Sequence, residues 1–186
     1  MHLRDDYRSG VFPRPYPVFD DLREPLLAYG RKHPEDEPLL RSTLLMRLHQ
    51  LDFITNRVET LYEADVDAFQ PERGLVMELS SAELVLYTEA FYNTAWQVVQ
   101  EVRLTDMPGR KRLLTTQAAL VRNWIMVHAE RGFDKRPAYS VAFLPKHSDV
   151  CLQFRSWPDD EGERMIDRGL KHNANEFHDV LLSLFS

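Results

Sequence analysis

In the stretch "LVRNWIMVHAERGF", Leu120 to Phe133, an arginine, an asparagine and a histidine interrupt what otherwise reads as the buried face of a helix. Arg122 offers a fixed positive fork that can stabilise the charge developing on a phosphorane-like transition state. His128 can take or give a proton near neutral pH, which cleavage of RNA through its own 2′-hydroxyl requires. On a straight helix the two lie about 120° apart around the axis and about 9 Å apart along it. They therefore flank a groove over Val121, Ile125 and Ala129 rather than touch. His128 falls in the last turn before Gly132, where the helix dipole favours its protonated form and Arg122 opposes it. A structural reading of the same residues stands beside this one. Arg122 can reach solvent along its stem, Asn123 can cap a neighbouring turn, and His128 can be a hydrogen-bonded core histidine.

Other residues with chemical potential read as structural. His172, Glu176 and His178 share the segment "KHNANEFH", but the two histidines are six apart and diverge around a helix, so the expectation is a solvated face. Asp5 and Asp6, and Asp20 and Asp21, form two acidic pairs, expected to be solubilising charge or a helix cap. Cys151, the single cysteine, sits among apolar neighbours and reads as a small buried hydrophobe. No glycine-rich phosphate loop, paired-cysteine zinc spacing, H-E-x-x-H or G-x-S-x-G occurs. The expectation is accordingly of no cofactor and no metal.

Charge narrows the class of partner. The 186-residue chain carries a net charge of -6, which argues against coating nucleic acid by global attraction. Yet from Arg103 to Arg136 eight basic residues face three acidic ones, a net of +5, so the remainder carries -11. The Arg122 segment thus lies in the one basic stretch of an acidic chain. No apolar run reaches the length of a membrane span, and the first ten residues show no leader pattern. The expectation is a cytoplasmic protein without a membrane partner.

These residues must be positioned by helices. Pro13, Pro15 and Pro17 impose an extended, polyproline-like path near the N-terminus, and a short helix is expected from Asp21 to about Tyr29, closed by Gly30 and Pro34. Leu44, Leu48, Leu51, Ile54, Val58 and Leu61 recur at helical spacing and predict a long helix over 39–62. Ser80 and Glu83 form a capping box for a second helix to Arg103. Asp106 is expected to cap a third, over 110–131, which Gly132 ends. The period then changes to two, with Tyr139, Val141 and Phe143 followed by Val150, Leu152 and Phe154, as a β-hairpin over about 138–157 requires. A final helix is expected from about Asp160 to Phe185, with Ile166, Leu170, Phe177, Val180, Leu181 and Leu184 on one face. The expected fold is all-α, a four-to-five-helix bundle with a small β-hairpin insertion before the last helix. Residues 1–37 read as a proline-rich arm with a possible short helix, and 38–186 as the helical domain.

The pattern Arg122, Asn123 and then His128, with Trp124 after the asparagine, resembles the signature of the HEPN superfamily, small helical bundles. The resemblance covers one seven-residue motif and the helical layout. It implies a metal-independent endoribonuclease with catalytic residues Arg122, Asn123 and His128. It also implies a homodimer in which two Arg/His pairs face each other, so that a second histidine supplies the second proton-transfer group. Such proteins are frequent in toxin systems, antiviral defence and stress-induced RNA cleavage, which implies RNA and an antitoxin or defence protein as partners. The chain departs from toxins that carry a tyrosine two residues after the histidine, for position 130 is Glu130. The alternative is a catalytically inactive HEPN-like module that binds RNA or protein.

Overall fold

The computed structural model describes residues 14–68, 82–122, 139–144, 149–155, 164–166 and 169–186. The chain enters the core at Phe19. A 3-10 turn, Phe19–Leu22, leads into helix α1, Arg23–Lys32, and Phe19, Leu22 and Leu26 are fully buried in the same core as the long helices. The turn starts here because Asp52 meets its free N–H groups, accepting from Phe19 N and Asp20 N at 2.5 and 2.7 Å. Gly30, expected to close α1, lies inside it. The helix ends where the His33 N–H bonds the carbonyls of Tyr29 and Gly30.

Helix α2, Leu45–Ala68, is entered through an α turn, Glu37–Leu39, and a π-helical turn, Leu40–Leu44. Pro38 opens this stretch without an N–H to donate. The Ser42 and Thr43 hydroxyls donate back to the carbonyls of Pro38 and Leu39 at 2.6 and 2.8 Å, which loosens the four-residue ladder locally. The leucine stripe is buried as its spacing requires: Leu44, Leu48, Leu51 and Val58 are inaccessible and Ile54 nearly so. Helix α3, Ala82–Arg103, packs antiparallel to α2, since Arg47 pairs with Glu101 at one end and Arg57 with Glu83 at the other. Leu84, Phe91, Ala95, Val98 and Val102 form its buried face. Glu83 gives Oε1 to Arg57, and Ser80 of the expected capping box lies outside the described residues.

The expected single helix over 110–131 is corrected by the structure. Arg110–Thr115 is a 3-10 helix that starts after Gly109, at a positive φ of 77°, and Thr116 turns extended with ψ 148°. The hydroxyls of Thr115 and Thr116 donate to the carbonyls of Arg112 and Leu113 at 2.8 and 2.7 Å, and so occupy acceptors that a continuing helix would use. A new helix, α4, is described over residues 117–122. Asp106 does not cap this region, for its side chain is fully exposed, and the Thr105 hydroxyl accepts the Met107 N–H at 3.3 Å instead.

The expected hairpin forms. Strands β1, Tyr139–Leu144, and β2, Asp149–Arg155, pair antiparallel with Tyr139 opposite Phe154, Val141 opposite Leu152 and Phe143 opposite Val150. A third strand, β3, Arg164–Ile166, adds to the outer side of β2. The expected helical start near Asp160 is therefore corrected: the last helix, α5, spans Leu170–Phe185. It begins at Gly169, whose φ of 92° suits a residue without a side chain, and the Lys171 N–H donates to both carboxylate oxygens of the buried Asp149 at 3.0 and 3.1 Å. Leu170, Phe177, Leu181 and Leu184 of the expected apolar face are buried. The result is a helical bundle with a hairpin-based sheet inserted before its last helix. Among the described residues no helix is long and apolar enough to cross a membrane.

Two outcomes follow from the Phe19 anchor and its Asp52 cap. Phe19→Ala should cost about 3–5 kcal/mol in urea unfolding, because an inaccessible ring leaves a cavity. Val18→Ala, at a half-exposed position, should stay within about 0.5 kcal/mol. Burial also pushes the Asp52 carboxyl above its ordinary value of 3.8, with the two N–H bonds opposing the shift. A carboxyl that holds its proton more tightly when folded loses stability as pH rises through its folded pKa. Asp52→Asn should therefore show less decline in stability than the parent as pH rises from 3.8; parallel curves would count against the assignment.

Candidate functional site

Helix α4 starts inside the protein, so its first N–H groups need acceptors other than water. Glu176 of α5 provides one: its Oε2 accepts the Gln117 N–H at 2.7 Å. The Thr116 carbonyl takes the Leu120 N–H at 3.1 Å and closes the first turn. Ala118, Ala119 and Val121 are fully buried and press α4 against the core. The small side chains at 118 and 119 allow that close approach, and the turn they define places Arg122 half-buried at the described end of the helix.

Arg122 is held there by an aromatic partner. Its guanidinium carbon lies 4.8 Å from the centre of the Trp96 ring on α3. An arginine over an indole face gains about 0.5–2 kcal/mol and loses rotational freedom, while its charge remains. The arrangement is a positive group with restricted motion, positioned by three elements: α4 carries it, α5 caps its helix and α3 supplies the platform. Such a group suits recognition of a phosphate, because little ordering remains to be done when the anion arrives. Asn123 and His128 lie outside the described residues, as do Ile125 and Ala129 of the expected groove.

The polar segment of the last helix is not a uniformly solvated face. His172 is exposed, but Glu176 is the half-buried cap of α4, and His178 sets its ring edge-on to Phe19 with centroids 5.7 Å apart. Between them Asn173 is fully buried and donates to the Tyr92 hydroxyl at 2.9 Å. The helix dips its polar residues inward because the neighbouring elements present backbone and hydroxyl groups that need partners. Among the described residues no three His, Cys, Asp or Glu side chains converge as metal ligands.

The remaining candidates have local roles. Asp20 lies 3.0 Å from His49 Nδ1, Asp21 is exposed, and Asp5 and Asp6 are outside the described residues. Cys151 is buried in β2 as a free thiol. An open groove of about 500 Å³ runs along Arg41, Leu45, His49 and Phe53, and is lined by neither Arg122 nor Trp96. Trp96 and Glu176 are the members of the site that sequence reasoning missed. Glu176 acts across 59 residues, so no local pattern announces it. Trp96 carries a weak signal, as a large aromatic ring at the edge of the apolar stripe of α3.

No protein-family model matches the chain, and comparison with curated proteins and with solved structures gives no match.

The cap can be tested without any functional assay. Glu176→Ala should cost about 1 kcal/mol and speed amide exchange at Gln117, with the fold retained. A Gln117 amide as protected in that variant as in the parent would remove Glu176 from the site.

Proposed function

We propose that the chain is a metal-independent endoribonuclease of the HEPN type, acting as a homodimer. Arg122 stabilises phosphate charge, His128 transfers protons and Asn123 holds the motif in register. The observation that carries the reading is the Arg122, Asn123, His128 spacing together with a guanidinium already fixed over Trp96. In this reaction an imidazole takes the proton of a 2′-hydroxyl, and the 2′-oxygen attacks phosphorus. The bond to the 5′-oxygen breaks, and an imidazolium proton goes to that oxygen. The products are a 2′,3′-cyclic phosphate and a 5′-hydroxyl. One chain supplies one motif histidine, so the second comes from the other copy, across a two-fold axis. The surrounding net of +5 draws the RNA backbone to this part of an otherwise acidic chain. A toxin, antiviral or stress role, with a restraining antitoxin or defence protein, fits an RNA-cutting dimer of this kind.

A second reading has its own support. Arg122 is half-buried and already engaged by Trp96, and the chain as a whole is acidic, which suits a catalytically silent module that binds RNA or a protein. Cleavage of a labelled single-stranded RNA in the presence of EDTA separates the two. The nuclease reading expects Arg122→Ala and His128→Ala each to lower the rate by about 10²–10⁴-fold, with unchanged circular dichroism. Full activity in a folded double variant would falsify it, and a dimer that binds RNA without cutting it favours the silent module.

A further inference from the structure

Three residues of α5, Lys171, Asn175 and Asp179, are spaced four apart and form one stripe along the helix. The extended segment Arg14–Tyr16 runs along this stripe in the opposite direction, and each turn engages one residue. Arg14 Nη2 lies 2.6 Å from Asp179 Oδ2, Asn175 Nδ2 donates to the Pro15 carbonyl at 2.9 Å, and Lys171 Nζ sits 5.2 Å from the centre of the Tyr16 ring. A side-chain amide that binds a backbone carbonyl suits an extended, proline-rich segment, which makes no hydrogen bonds of its own.

The stripe does not depend on the arm for its own order. Lys171 Nζ has Glu59 Oε1 at 3.6 Å, and the same Asn175 amide group donates to the Lys171 carbonyl at 2.8 Å. Asp179 has His178 Nδ1 at 3.7 Å, and the Lys171 N–H stays capped by Asp149. The helix behind it is anchored by Ala174, Phe177 and Leu181, all inaccessible. None of these contacts involves the arm, so the stripe is ordered independently of it. The outer two residues of the arm are held lightly, while Tyr16 packs against the core with its hydroxyl 3.4 Å from Asp149 Oδ1. The Arg14–Asp179 pair is more than half exposed on both sides, and Arg14 and Pro15 are exposed, whereas Phe19, three residues beyond Tyr16, is locked in the core.

We infer that the Lys171–Asn175–Asp179 stripe is a docking surface for the Arg14–Tyr16 segment of a second copy of this chain, so that two copies associate by exchanging arms. Docking within a chain and between chains makes the same contacts. The balance is set by protein concentration against the tether, and exchange wins as concentration rises. Pro15 and Pro17 stiffen the segment, which lowers the ordering cost of docking whether within a chain or between chains. The inference rests on the dimeric reading above only for its purpose, since arm exchange brings together the two copies that reading requires.

A charge-reversal mixture of full-length chains tests it, with mass read by sedimentation equilibrium and no RNA present. Arg14→Asp alone and Asp179→Arg alone each place like charges at the first rung within one chain. Mixed, the two variants can restore opposite charges at both rungs only by exchanging arms. The expected result is a 1:1 heterodimer at least about tenfold tighter than self-association of either variant. The chain carrying both substitutions should return to the parent's behaviour. A mixture that associates no more tightly than its components overturns the inference. If the heterodimer forms and the parent dimer fails to cut RNA, arm exchange stands and the nuclease reading falls.

Discussion

The buried carboxylate of Asp149 decides where the last helix begins, and much of the structure follows from that point. Its oxygens accept the N–H groups of Val150 and Lys171, and the Tyr16 hydroxyl approaches Oδ1 at 3.4 Å. One side chain thereby joins the start of β2, the first turn of α5 and the N-terminal segment. A buried acceptor of this kind is costly to leave without donors, so the starts of β2 and α5 are bound to one arrangement, and the Tyr16 hydroxyl adds a third donor where the N-terminal segment docks. With its start fixed, α5 has its faces fixed as well. Phe177 and Leu181 turn to the core, Asn173 to Tyr92, and Glu176 to the first N–H of α4. The position of Arg122 is thus set at two removes by a residue in a strand.

What was legible in the sequence was whatever repeats locally. The leucine stripe of α2 and the alternation of the hairpin declare themselves because each residue's neighbours along the chain are also its neighbours in space. The alternation tells which residues share a face, and the pairing of Val141 with Leu152 depends also on the length of the turn between the strands. The boundaries were not legible where a distant group made them. Nothing near residue 160 says that α5 waits until Leu170, because its cap lies 22 residues back in β2. The break at Thr116 is likewise hidden, since "RKRLLTTQAALV" has a respectable helical pattern, and only two threonine hydroxyls and a carboxylate from α5 favour the interruption.

The candidate site was legible to the same degree. Arg122 stands out as a charge in an apolar stretch, and the structure gives it a partner consistent with a restrained cation. The residues that hold it had no such contrast. Trp96 reads as one more large apolar group on α3, and Glu176 as one of several polar residues on α5. A residue whose task is to steady another is defined by where the chain returns, and that information is absent from its own surroundings.

The interruption at Thr116 also separates two mechanical units. In one continuous helix the direction of Arg122 would be geared to Gly109 and the 3-10 turn, at about 100° for each residue inserted or lost between them. Because α4 has its own beginning, held by Glu176, its rotational phase is set locally. The guanidinium's direction toward Trp96 is therefore not geared through a continuous helix to Gly109. The aim of one side chain is set by the start of its own helix and not by the turn that precedes it.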